Sequence, residues 1–247
     1  MALLACGARQ ESGDLPDEML WAWRRPEVLT FVDPQRTGVA AWMATIHLAG
    51  DSLQIEPREW RLAVPSGTYL AAVVRLESSA ERPPDLSPEL RSKLSDRLLE
   101  LWRETGWPEL QLDFDARVSE REFYRLLLAD LRSGMAGGRL SITALLSWCW
   151  EPGWLDDLAV DEVVPMIYRL GPEAELFRRR LAAGEPFVAQ ACLEAIGVSS
   201  DEPIPSFAVE GRKYFFHHLP WTADRQREEQ ERLANASRTM GAASGSP

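Results

Sequence analysis

Lysine is almost absent from this chain: Lys93 and Lys213 are the only two among 27 basic residues. Histidine (3), cysteine (3) and tyrosine (4) are also scarce. No His-x-His or His-Glu-x-x-His spacing occurs, so no metal site is legible and no cofactor is expected. Three cysteines do not make a disulfide framework, and Cys149 and Cys192, set in apolar stretches, read as buried thiols. No apolar run reaches the roughly 18–20 residues that cross a bilayer. A Gly-rich phosphate loop is missing after the first strand candidate, where Trp23-Arg24-Arg25-Pro26 stands instead. No internal repeat is visible. Positive charge is in deficit, 27 basic residues against 38 acidic, a net charge of −11. A surface of that sign repels phosphate backbones and excludes general nucleic-acid binding.

Tryptophan, by contrast, is plentiful: 10 in 247 residues. Two helices are clearly written. Ser87-Pro88 supplies an N-cap and a proline at the first helical position, and leucines recur at helical spacing until Gly106. Ser119 and Glu122 read as a capping box for a second helix that ends at Gly134. A third, shorter helix starts at Pro172, acidic first and basic last, as the helix dipole favours.

Eight apolar runs have strand character: residues 19–23, 38–48, 69–77, 110–116, 140–145, 163–168, 189–196 and 212–219. Several are apolar throughout, as strands covered on both faces are. Strand and helix alternate through the middle of the chain, which points to a parallel sheet. Eight strands in about 250 residues predict an α/β fold, a TIM-like (β/α)8 barrel. The link 49–68 lacks helical periodicity and reads as an extra hairpin, and the link 197–211 also lacks a helix. The barrel is therefore expected to be decorated and incomplete, with a doubly wound open sheet as the alternative. Residues 15–221 read as one barrel domain, 1–14 as an N-terminal segment, and 222–247 as a tail, disordered or loosely helical.

Activity in such barrels lies at the C-terminal strand ends. On the fourth strand, alternation sends Leu112 and Phe114 to the helices and Gln111, Asp113 and Asp115 to the interior. Two carboxylates about 6.6 Å apart at Cα, at roughly 3.3 Å rise per residue, repel each other, and one should have a raised pKa. Acid–base work, a metal-ligand pair, and a pair answering a nearby arginine all remain open. Other strand ends add Trp21 and Trp23, His47, Arg75 with Glu77, Ser147 with Trp148, Met166 with Tyr168, Glu194, Asp201 with Glu202, and His217 or His218. Trp42, Trp60 and Trp102 read as core. Trp23, Trp148 and Trp150 follow strand ends, where an indole can stack on a sugar ring.

Two resemblances follow from these residues. Leu15-Pro16-Asp17-Glu18-Met19-Leu20-Trp21-Ala22-Trp23, the Gln111–Asp115 segment, the strand from Leu140 with Ser147-Trp148-Cys149, Val163-Val164-Pro165-Met166-Ile167-Tyr168, and Gly197 with Asp201-Glu202-Pro203 occur in this order. Over residues 15–220 the chain resembles an uncharacterised bacterial family, domain of unknown function 3142, often seen on lipoproteins. More distantly it resembles chitinase-like glycoside hydrolase barrels. Asp113 and Asp115 match the second and third aspartates of their fourth-strand motif, and Met166 with Tyr168 matches their sixth-strand motif. That likeness implies a last aspartate that orients a substrate acetamido group, with the tyrosine assisting. It departs where the acid glutamate should stand, which is Arg117, and at the first aspartate, which is Leu110. Arginine cannot donate that proton near neutral pH.

The readings are ordered accordingly. First comes a carbohydrate-active, glycoside hydrolase-like protein of the bacterial envelope. Asp113, Asp115 and Tyr168 would be its central groups, Glu77 or Glu194 its replacement acid. Trp23, His47, Gln111, Trp148, Met166 and His217 would contact the substrate. Next comes a non-catalytic lipoprotein that binds glycan or protein, and last a metal-dependent hydrolase using Asp113, Asp115, His47 and His217. A glycan or other small polar ligand is the expected partner. Leu3-Leu4-Ala5-Cys6 resembles a lipobox, with Cys6 lipidated as the one membrane link. Only five residues precede Cys6 and none is basic. A frayed apolar N-terminus in a cytoplasmic protein is therefore the alternative.

Overall fold

The computed structural model describes the backbone of residues 15–204 and 211–243. Eight parallel strands close on themselves: β1 (Glu18–Ala22), β3 (Thr37–Ala49), β6 (Leu70–Ser78), β7 (Glu109–Asp113), β8 (Arg139–Leu145), β9 (Glu162–Met166), β10 (Ala195–Ser199) and β11 (Arg212–Phe216). Closure falls at β1, which pairs in parallel with β3 on one side and β11 on the other. The barrel is decorated where the link 49–68 lacks helical periodicity. There β4 (Ser52–Pro57) folds back antiparallel on β3, and β5 (Leu62–Ala63) pairs with β2 (Glu27–Val28).

The helices follow their sequence signals. α1 (Pro88–Thr105) is capped by the Ser87 hydroxyl, which accepts from the Leu90 amide, and ends at Gly106 with φ 65°. Only glycine takes that left-handed conformation without steric cost. α1 lays Leu90, Leu94, Leu98 and Leu99 on the barrel wall beside α2 (Arg121–Gly134). The cap of α2 differs from the expected Ser119–Glu122 box. A 3₁₀ turn, Val118–Glu120, precedes the helix, and the Glu120 carboxylate accepts from the Arg117 amide. Glu122 instead faces solvent and binds Arg125. α3 (Ala174–Ala182) begins two residues after Pro172, which sits in its own 3₁₀ turn. After Trp221 the described residues form α4 (Ala223–Ala243), which buries Leu233 against the barrel.

Two local expectations are corrected. Cys149 and Cys192 are not thiols. They form a disulfide with Cα atoms 5.9 Å apart. Spacing in sequence hides this pair, because 43 residues separate the two and only the closed barrel brings the turn after β8 to the turn before β10. The seventh strand is Ala195–Ser199, while Gln190–Leu193 is a 3₁₀ turn. Of the apolar residues at 189–193, Ala189 and Cys192 are buried and Leu193 is exposed, and a short apolar run does not distinguish a turn from a strand.

Apolar side chains divide into an outer shell under the helices and a lumen cluster around Met19, Trp21, Val73, Val164 and Tyr214. Leu112 and Phe114 join the shell, as strand alternation requires.

Candidate functional site

A cleft opens at the C-terminal mouth of the barrel. Trp21, Trp23, Arg75, Asp113, Asp115, Thr143, Leu145, Met166, Tyr168, Arg169 and Phe216 line it. Its centre is Arg75. The register of β6 on β7 sets Arg75 beside Asp113. The guanidinium donates from Nη1 to Asp113 Oδ2 (2.7 Å), from Nη2 to Asp115 Oδ2 (3.2 Å) and from Nε to Glu77 Oε1 (2.9 Å). Burial is the largest single effect and opposes its charge, but the carboxylates of Asp113, Glu77 and Asp115 together hold the Arg75 pKa above its ordinary value.

The two aspartates differ. Asp113 has a side chain only 5% exposed, and its second oxygen accepts from Thr143 Oγ1 at 2.8 Å. Both its oxygens are thus occupied. Asp115 lies just past the strand end, with its side chain 43% exposed. Partial burial, then repulsion from Asp113, raises its pKa, against the pull of Arg75.

Aromatic rings form the opposite wall. Tyr168 stacks on Phe216, centroids 5.9 Å apart, and Trp23 meets the same Phe216 edge-on. Burial, then the charge of Asp113, pushes the Tyr168 hydroxyl well above the usual tyrosine range. Trp21 forms the floor, touching Tyr168 and Tyr214. Its seat depends on Gly197, where a Cβ would lie 2.7 Å from the Trp21 ring. Gln111 is fully buried below the cleft and accepts the Trp21 indole N–H at 2.8 Å. It therefore positions a wall residue and does not itself reach the opening, which corrects its expected substrate contact.

Other expected site residues lie elsewhere. Glu77 belongs to an adjacent depression lined also by Ser78, Arg117 and Glu120, which shares Arg75 and Asp115 with the cleft. His47 is half-buried beyond it, 3.4 Å from Glu77. Glu194 precedes β10 and opens at the opposite, N-terminal face. Its strand begins at Ala195, six residues later than the run 189–196 suggested. Trp148 is buried in the outer shell against Trp154 and Arg121. The turn after β8 folds it outward, which corrects its expected place at the rim. Trp150 likewise stacks on Phe177. His217 is buried beside Trp221, and its Nδ1 accepts from the Leu219 amide. Asp113, Asp115, His47 and His217 therefore do not converge, and among the described residues no group of three or more His, Cys, Asp or Glu could hold a metal ion. Among the described residues no helix is long and apolar enough to cross a membrane. Cys6 lies outside the described residues.

Sequence reasoning named Arg75 without assigning it a role, and it left Arg169 and Thr143 unmarked. Arg75 had a usable signal, since it shares a strand face with Glu77 and alternation points that face inward. Arg169 follows Tyr168 on a loop, where periodicity carries no information.

No protein-family model matches the sequence, and no curated protein matches it. Likeness appears in three dimensions. A crystal structure titled "putative Chitinase A from Streptomyces coelicolor" superposes with a TM-score of 0.55 at 10% identity, covering 90% of this chain and 99% of that one. The chitinase domain of the spore coat protein CotE from Clostridium difficile gives a TM-score of 0.43 at 15% identity, covering 87% and 71%. The first of these shows the fold alone, a closed barrel of eight parallel strands.

Proposed function

We propose that the barrel mouth binds a glycan and holds it without cleaving it by the chitinase route. The observation that carries this reading is Arg75, which bridges Asp113 and Asp115. A leaving-group oxygen needs a positioned proton donor. Arg117 stands where that donor is expected and cannot supply a proton. Each oxygen of Asp113 already accepts a hydrogen bond, from Arg75 and from Thr143. What the cleft offers is apolar ring surface from Trp23, Tyr168 and Phe216 beside polar groups in fixed positions. That combination suits a sugar, which presents C–H faces and a rim of hydroxyls.

The same proposal places the protein in the bacterial envelope, with Cys6 as a lipid anchor. The Cys149–Cys192 disulfide supports it, since such bonds persist in oxidising compartments.

A second reading, hydrolysis with Asp115 as the acid, is favoured by one observation: Asp115 is the exposed carboxyl, and its pKa is raised. Titration with chitotetraose and with peptidoglycan fragments, followed by mass spectrometry of the same mixtures, separates the two. Binding with intact sugar is expected. Shorter products that vanish in Asp115→Asn would replace the first reading with the second. Absence of binding to any glycan tested would remove both.

A further inference from the structure

Two arginines flank the paired carboxylates and belong to no ion pair among the described residues. Arg169 lines the aromatic cleft, its Cζ 5.6 Å from the centroid of Phe216. Arg117 lines the adjoining depression. Arg75 and Asp115 are common walls of the two, so the cations stand on either side of one continuous polar strip. In this chain free guanidinium groups at a site need a reason. The net charge is −11, and carboxylates are abundant enough to pair most arginines. The central guanidinium, Arg75, is already committed to three carboxylates.

The backbone at Arg169 adds an independent sign. Its φ is 52°, a left-handed conformation unusual for a residue other than glycine or asparagine. The strain is held from outside the cleft: the Arg169 amide donates to Glu202 Oε1 at 2.6 Å, and Arg178 lies 3.3 Å from the other oxygen of Glu202. Glu202 therefore orients the Arg169 backbone while Arg178 balances its charge. The Arg169 side chain remains over the Phe216 ring at the opening. Strain that persists at a cleft because neighbours enforce it is characteristic of ligand-gripping positions.

We infer that the glycan carries carboxylate groups, and that Arg169, with Arg117 in a lesser role, selects it over neutral sugars of the same ring type. This rests on the glycan-binding reading above and deepens it. A planar guanidinium matches a carboxylate with two parallel hydrogen bonds, whereas hydroxyls of a neutral sugar gain much less. Stacking of Arg169 on Phe216 fixes the fork and lowers the entropy lost on binding. The net negative surface opposes an acidic ligand at long range, so the selection must come from contact at short range, where the two cations stand.

The test uses matched tetrasaccharides in calorimetry at low salt. Chitotetraose is the neutral probe. The acidic probes are the peptidoglycan tetrasaccharide of alternating N-acetylglucosamine and N-acetylmuramic acid, and tetragalacturonate. At least one acidic probe should bind about tenfold or more tighter than chitotetraose, as a charge-assisted pair gives. The preference should fall as salt rises. Arg169→Asn should abolish it, and asparagine keeps the left-handed backbone, so loss of fold is not the cause. Arg117→Gln should reduce it by a smaller factor. Equal binding of neutral and acidic probes overturns the inference and leaves the glycan reading standing, as does a preference that survives Arg169→Asn. If none of the three probes binds, the glycan reading fails and the inference fails with it.

Discussion

The lumen of the barrel has two ends built from the same kinds of residue. At the lower end Arg212 lies 3.7 Å from Glu109 and 3.4 Å from Glu162. Tyr69 donates to Glu109 at 2.7 Å and Tyr214 to Glu162 at 2.6 Å. Burial raises the Glu162 pKa, with Arg212 opposing. At the mouth Arg75 likewise bridges carboxylates, those of Asp113, Asp115 and Glu77. The side chains of Arg212, Glu109 and Glu162 are at most 6% exposed, whereas Arg75 and Asp115 reach solvent at 28% and 43%. One set closes the barrel and the other is free to meet a ligand. A cluster of charges is therefore not a site by its composition. Access to solvent distinguishes the mouth from the floor, in keeping with the general place of activity in such barrels.

If burial is the difference, removing the cation should cost far more at the floor. Arg212→Ala leaves buried Glu162 without its ion-pair partner and Glu109 with only Arg139, 3.7 Å away, and should destabilise the protein by about 3–5 kcal/mol in urea unfolding. A loss below about 1 kcal/mol would mean that the lower network is hydrated and the contrast false. Arg75→Ala should cost less, about 1–2 kcal/mol, because Asp115 can turn to water and Asp113 keeps Thr143. Equal losses for the two variants would erase the distinction between the ends.

The smallest effect concerns pH at the mouth. Burial and Asp113 raise the Asp115 pKa above its ordinary value of 3.8. The folded state then holds this proton more tightly than the unfolded chain does. The contribution of Asp115 thus favours the fold below that ordinary value and is lost as pH rises through the raised one. Asp115→Asn removes the dependence. Wild type should lose ground to this variant between about pH 3 and pH 6, measured by denaturant midpoints across that range. A difference that stays flat would show that the Asp115 carboxyl titrates normally.

Legibility in the sequence followed the range of the interactions. α1 was readable because Ser87, Pro88 and Gly106 act within a turn of the residues they cap. The eight barrel strands were readable because burial on both faces leaves continuous apolar runs. Where a short apolar run formed a 3₁₀ turn instead of a strand, as at 190–193, the reading slipped and carried Glu194 to the wrong end of the barrel. Trp148 misled for a similar reason. A tryptophan after a strand end can turn toward the lumen or toward the helices, and alternation stops at the strand's last residue.

By itself the sequence determined an eight-stranded α/β barrel, the inward face of β7, and the absence of a glutamate two residues beyond Asp115. Those follow from periodicity and from identity at a position, both of which are local. Only the tertiary structure decided that Arg75 would sit between Asp113 and Asp115, that Cys149 would meet Cys192, and that Arg169 would stand over Phe216. Each joins residues from different strands or turns, and closing the barrel is what sets their distance. The chemistry of the mouth depends on those distances, because a carboxylate held by a guanidinium and one left to solvent are different reagents.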